Sequence, residues 1–380
     1  MARSATSGRR PQLTLVDEVD SAELDLRCSE LADQIQEQRI FGRVPLFLIG
    51  AGISRGKVPL LADIGKWFEG KLKVEGTDEG YEWVVEHASA IGRDLATRRQ
   101  AAEFFAAMQT DTGRFAHLWE EFSRLFLTGP LEVPPSEAFQ GIASQSVKPT
   151  DAHRVLARLL AGHDAHAVSL NFDGLTHLAL IELHGQGIVL HSPKDIETYF
   201  CAPASTNVPA IVKIRGDVFY ARCKAPACGL SATPYPIDRL RYRPETGDPL
   251  RCPNCGGNGL LLQFEFPGYR AKEELAATML RSVRQFLTAR VSTLVIIGLS
   301  GRWDRYMLEF LFDFAVDQRI PVIDVKPSGT EAELIDRFRS LYYPSVTSVE
   351  TRFPLEAASY TRVRATANDF LTKFGAAWYA

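Results

Sequence analysis

The sequence predicts an α/β protein: a doubly wound parallel sheet carrying a helical insertion and a small four-cysteine lobe. Three observations predict it. Short apolar runs alternate with stretches of helical periodicity along most of the 380 residues, the pattern of strand–helix–strand units. The first run, Leu46-Phe47-Leu48-Ile49, passes directly into Gly50-Ala51-Gly52-Ile53-Ser54, a buried strand ending in a turn whose backbone can lie against a bulky anion. Polar residues, Asn171-Phe172-Asp173-Gly174, stand immediately beyond the run Ala167-Val168-Ser169-Leu170, where open α/β sheets bind ligands.

Taken in order, Leu24, Cys28, Leu31 and Ile35 recur at helical spacing and predict a helix covering one edge of the sheet before the first strand. From Leu61 to about Leu127 the text is helical: Leu61, Ile64, Phe68 and Leu72 form one apolar stripe, and Phe115, Leu118, Trp119, Phe122 and Phe126 another. This block reads as an insertion between early strands. After the proline-marked loop 130–149, Thr150 or Asp151 can cap a helix carrying Leu156, Leu159 and Leu160 and stopping near Gly162. Val208–Ile214 is a strand running into Arg215-Gly216-Asp217, and the cysteine-bearing segment follows. A helix over Leu275–Leu287 leads to the strand Thr293–Ile297, then Gly298-Leu299-Ser300-Gly301, a helix through Met307, Phe310, Leu311 and Phe314, and the strand Pro321–Val325. Phe370, Phe374 and Trp378 predict a docked terminal helix. The organisation expected is a tail and helix over 1–40 and a Rossmann-like domain over 41–335. Its insertion spans about 61–148 and its cysteine lobe about 218–262, and a helical extension occupies 336–380.

The bulk properties exclude several classes. Forty-three Lys and Arg against 46 Asp and Glu give a net charge of −3, no electrostatic footprint for nucleic acid. The arginines of the tail, Arg3, Arg9 and Arg10, read as solvated chain. No apolar run approaches the ~20 residues needed to span a bilayer. A signal-peptide core is absent, and the cysteines do not form a disulfide framework, so a cytoplasmic protein is expected.

Four of the six cysteines form two close pairs, Cys223-x4-Cys228 and Cys252-Pro253-Asn254-Cys255. Two such pairs match a tetrahedral four-thiolate zinc site, and the glycine after each (Gly229, Gly256) permits the tight turn of a zinc knuckle. A catalytic zinc keeps an open position and mixed ligands, so an all-cysteine set predicts a structural ion. The glycine turn has a rival reading, because Ala51-x4-Gly56-Lys57 approaches a triphosphate-binding loop. Val58 stands where a magnesium-holding hydroxyl belongs. Asn171 and Asp173 likewise read either as ligand-facing groups or as an Asx turn capping the next helix.

Together these pieces resemble the sirtuin-like superfamily. The resemblance is carried by Gly50-Ala51-Gly52-Ile53-Ser54, Asp151-Ala152-His153, Asn171-Phe172-Asp173-Gly174-Leu175, Lys213-Ile214-Arg215-Gly216, the two cysteine pairs and Gly298-Leu299-Ser300, in the family's order from about residue 44 to 326. It implies an NAD-binding sheet flanked by a zinc lobe and a helical lobe. On that reading Gly50, Ala51 and Gly52 cradle the pyrophosphate with Ser54 close by, and Asn171 and Asp173 sit at the nicotinamide end. Gly298 and Ser300 meet the adenosine half, and Asp324 accepts its ribose hydroxyls.

Three departures bear on chemistry. Protein-deacylating members place a general-base histidine where this chain has Arg215, and a guanidinium cannot accept a proton at neutral pH. Val58-Pro59-Leu60-Leu61 replaces the family's Pro-Asp-Phe-Arg element, and Leu170 replaces its glutamine. The chain is most similar in kind to the divergent bacterial branch, whose members hydrolyse NAD to nicotinamide and ADP-ribose, often as antiphage effectors. There an asparagine positions water and a histidine assists. Asn171 fits the first role; Asp173 or His191 is left for the second. The expectations are therefore an NAD hydrolase acting as a defence subunit, in a homo-oligomer or with a protein partner. The alternatives are a catalytically silent NAD-binding subunit and a protein deacylase.

Overall fold

The computed structural model describes residues 21–55, 57–58, 69, 72, 79–110, 148–201, 208–223, 225–229, 235–236, 252, 254–257, 260–264, 270–299, 310, 314–315, 317–327 and 360–380. Its strands are β1 (Val44–Ile49), β2 (His166–Ser169), β3 (Ile188–Leu190), β4 (Ala210–Lys213), β5 (Gly216–Cys223), β6 (Tyr235–Pro236), β7 (Leu260–Phe264), β8 (Val291–Ile297), β9 (Val322–Lys326) and β10 (Tyr360–Arg364). The helices named below are α1 (Ser21–Arg39), α2 (Glu79–Ala90), α3 (Arg98–Thr110), α4 (Asp151–Ala161), α5 (Leu175–His184), α6 (Pro193–Cys201), α7 (Arg270–Leu287) and α8 (Ala367–Trp378).

Seven strands form one sheet in the order β10-β9-β8-β1-β2-β4-β3, with every neighbour parallel. β1 lies at its centre, and all six of its residues are buried. Side chains alternate across a strand, so β1 feeds two cores. Phe47 and Ile49 pack into the layer built by α1, α4, α5 and α8. Leu46 and Leu48 pack into the opposite layer, with Met279, Leu280 and Val283 of α7. The chain moves from β1 to β2 on one side and later crosses to β8 on the other. The strand order thus reverses at β1, and the carboxyl ends of β1 and β8 mark the position where such sheets take ligands.

The first and last described helices, α1 and α8, belong to this core. Cys28 of α1 hydrogen-bonds through its thiol to the Phe370 carbonyl at 3.8 Å, and the Gln36 amide donates to the Trp378 carbonyl at 3.0 Å. The Phe47 and Phe374 rings meet edge-on at 6.2 Å. Burial pushes the Cys28 thiol up to about 12, which leaves it an inert packing group. The terminal helix expected from Phe370, Phe374 and Trp378 is α8, whose three aromatics are buried.

Strand β3 and helix α6 lie where the sequence predicts no element, and strand β10 lies inside the extension expected to be helical over 336–380. β3 has only three residues, and β10 reads Tyr-Thr-Arg-Val-Arg, a charged text that gains strand character only by pairing along β9. In a second, antiparallel sheet of order β6-β5-β7, Cys223 closes β5, and the other three cysteines of the two pairs lie outside its strands. The insertion contributes α2 and α3; of its expected stripes, Leu72 is helical and buried, and Leu61–Phe68 and Phe115–Phe126 lie outside the described residues.

Candidate functional site

The ends of β1 and β8 form a floor of backbone contacts. The Gly50 N–H donates to the Ile297 carbonyl at 2.8 Å and the Gly52 N–H to the Gly298 carbonyl at 3.2 Å. A Cβ on Gly52 would stand 2.5 Å from Gly298 Cα, and one on Gly50 would stand 2.5 Å from Gly298 O. Gly298 itself has φ +64°, a left-handed conformation that favours glycine. These glycines let the ends of β1 and β8 touch. The two N–H groups expected to face an anion instead face neighbouring carbonyls, which leaves the exposed Ala51 as the turn residue at the rim. Ser300 lies outside the described residues.

Above that floor, Ser54 joins three segments. Its hydroxyl donates to Asp173 Oδ2 at 2.9 Å, lies 3.2 Å from His153 Nε2 and accepts from Asn171 Nδ2 at 3.4 Å. His153 is the third residue of α4, and its Nδ1 accepts from the Thr150 backbone N–H at 3.2 Å. Thr150 in turn caps the helix by accepting from the His153 N–H at 3.4 Å, a capping box with histidine in the usual glutamate place. A nitrogen that accepts from an amide carries no proton, so the proton sits on Nε2 and is donated to Ser54. Burial pushes His153 down to about 4 against the opposing pull of Asp173, with Lys213 and Arg154 pressing the same way as burial. His153 is therefore a neutral donor.

Asn171 and Asp173 project from the loop beyond β2. The second Asp173 oxygen accepts from the Leu175 N–H at 3.1 Å, so the Asx turn is present and Asp173 serves the helix start as well as Ser54. Behind the loop, Lys213 at the end of β4 donates to the Asn171 carbonyl at 2.6 Å and the Asp173 carbonyl at 2.5 Å. It also lies 3.7 Å from Asp217 Oδ2. Arg215 sits between β4 and β5, where the chain leaves the main sheet for the cysteine lobe, and is only 2% exposed. His191, beyond β3, donates its N–H to Asp195 and packs its ring 4.4 Å from that of Tyr220. Asp324 lies inside β9, paired in register with Ile296 and Arg362, fully buried and 3.4 Å from Lys326. The strand runs two residues past it, to Lys326.

The structure thus gathers Ser54, Asn171 and Asp173 and sets the Gly50–Gly52 and Gly298 turns beneath them. In the sequence, His153 and Lys213 stand only as members of the motifs Asp151-Ala152-His153 and Lys213-Ile214-Arg215-Gly216, with no expected place in the site. Thr150 and His153 occupy the N-cap and N3 places of a capping box, which a sequence pattern with glutamate or glutamine at N3 does not flag.

The four cysteine sulfurs lie within 4.8 Å of one another, with Cys223–Cys255 at 3.6 Å and Cys228–Cys252 at 3.7 Å. Disulfides are excluded at this spacing, whereas four sulfurs at about 2.3 Å from a central zinc stand roughly 3.8 Å apart. The Gly256 N–H closes a turn on the Cys252 carbonyl at 2.8 Å, and Asn254 and Ala225 donate to the Cys228 and Cys223 sulfurs. The set fits a closed structural zinc site, with Cys223, Cys228, Cys252 and Cys255 as the four ligands.

No protein-family model and no curated protein matches the chain. Solved structures do. One described by the structural basis of sirtuin substrate affinity is 16% identical, covers 91% of this chain and 96% of its own, and gives a TM-score of 0.46. A Sir2 homologue–NAD complex is 14% identical over 91% and 92%, at 0.42. A complex of Sir2 with a p53 peptide and NAD+ is 14% identical over 90% and 95%, at 0.39. With TM-scores this low, the fold class rests on the strand order of the sheet itself.

Proposed function

We propose that the protein binds NAD along the carboxyl edge of its sheet and hydrolyses the bond between ribose and nicotinamide. The observation that carries the reading is the cluster of Ser54, Asn171 and Asp173 beside the glycine turns at the point where the strand order reverses. The sequence resemblance of those same residues supplies the ligand class. In the reaction the ribose C1′–nitrogen bond breaks and its electron pair leaves with the ring, so the cationic pyridinium departs as neutral nicotinamide. Positive charge builds on the ribose, as in other glycoside cleavages, and we assign its stabilisation to the Asp173 carboxylate. Water adds to C1′, oriented by the Asn171 amide, and its proton passes to solvent. NAD+ and water give nicotinamide, ADP-ribose and a proton.

This route needs no strong base, which matters because the cluster offers none. His153 is held as a donor, and Arg215 has no acceptor to offer. For the same reason a deacylase, which needs the ribose base, is the weaker reading. By the same resemblance we assign the activity to a defence effector in the cytoplasm, working in a homo-oligomer or with a protein partner. A second reading, a silent NAD-binding subunit, draws on the burial of Arg215 where an active relative would hold its base.

Purified protein incubated with NAD, with and without an acetylated peptide, separates the readings. Nicotinamide and ADP-ribose formed without peptide support the hydrolase; products that need peptide support the deacylase. Thermal stabilisation by NAD without any product supports the silent binder. Under the silent reading Arg215→His restores turnover; under the hydrolase reading it is not required.

A further inference from the structure

We propose that Lys213 is a positioning residue that fixes the Asn171–Asp173 loop from behind, so that the two side chains meet at Ser54. Lys213 closes β4, and its register partner is Ser169, the last residue of β2. The loop therefore starts two residues away on the neighbouring strand, within reach of the lysine amine. The ammonium is 2% exposed and has three protons. Two go to the Asn171 and Asp173 carbonyls, and the Asp217 carboxylate lies near the third. Carbonyls two residues apart are thereby pinned to one atom, which dictates the turn between them. The side chains of Asn171 and Asp173 project instead to the Ser54 hydroxyl. The loop is clamped from two faces, by Lys213 on its backbone and by Ser54 on its side chains. The fully buried Asp217 offsets the lysine's charge where water cannot.

The positioning stands on this geometry; its effect on turnover rests on the NAD reading above. Lys213→Met alone strands a buried carboxylate and risks misfolding, so the test uses full-length Lys213→Met/Asp217→Leu beside Lys213→Arg. In the double variant, amide hydrogen exchange over residues 169–176 speeds up about tenfold or more while β1 and β8 keep their protection. Lys213→Arg, which retains the donors, recovers at least part of the loop protection. Unchanged loop exchange, or an equal increase across the whole sheet, overturns the proposal. With NAD as substrate, kcat of the double variant falls about tenfold or more while KM moves less than threefold. An unchanged kcat with a loosened loop overturns the role in turnover. Wild-type protein that releases no nicotinamide defeats the NAD reading, and the exchange measurement still decides the positioning.

Discussion

Gly52 and Gly298 touch backbone to backbone: the Gly52 N–H donates to the Gly298 carbonyl at 3.2 Å, and a Cβ on Gly52 would stand 2.5 Å from Gly298 Cα. Neither glycine can take a side chain without parting the ends of β1 and β8. Gly52→Ala is expected to cost about 2–4 kcal/mol, combining overpacking with backbone displacement. Gly42 has φ +71° with open space around it, so Gly42→Ala costs only about 1 kcal/mol of backbone strain. Urea melts of the two variants measure the contrast, and equal losses would remove the close approach as the reason for Gly52.

Ser54→Ala takes one hydroxyl from three buried partners, Asp173, His153 and Asn171. The expected loss is about 2–3 kcal/mol, because deleting one member leaves the others unsatisfied. NAD affinity should weaken as well, since Asn171 and Asp173 lose their common anchor. Calorimetric titration with NAD, alongside denaturation, reads both effects.

The cysteine lobe makes a compositional prediction. Purified protein should carry one zinc per chain, and Cys252→Ser should lose it. Chelation is expected to expose β5–β7 to protease while leaving β1 and β8 protected, because the four thiolates tie the antiparallel sheet and not the seven-stranded one. Metal analysis and limited proteolysis check the two halves separately.

Two histidines set an acid limit. Burial first, then Arg290 and His163, hold His166 down at about 4, as burial holds His153. Both bind protons in the unfolded chain near 6.5 and resist them when folded. Their contribution is complete above pH 6.5 and is lost as pH falls from 6.5 towards 4. Each should tilt stability by up to about 1.4 kcal/mol per pH unit in that window. His153→Gln should roughly halve the slope measured from urea midpoints between pH 6.5 and 5.

The central sheet and the docked helix α8 were legible because apolar runs such as Leu46–Ile49 and aromatic stripes such as Phe370, Phe374 and Trp378 declare burial directly. The cysteine pairs were legible because their ligand chemistry is local. What did not show was cooperative. Arg362 and Arg364 become strand residues only beside Asp324 and Lys326 of β9. His153 and Lys213 act on partners 99 and 42 residues distant in sequence, a relation no local pattern encodes. The glycine turn was legible as a place of close approach, but not which group approaches. Gly50 and Gly52 meet the end of β8.

The account stands most directly on Asn171. Wild-type protein should convert NAD to ADP-ribose and nicotinamide without peptide, and Asn171→Ala should slow this by about a hundredfold or more while melting within a few degrees of wild type. Turnover by Asn171→Ala at the wild-type rate, or no turnover by either protein, would contradict it.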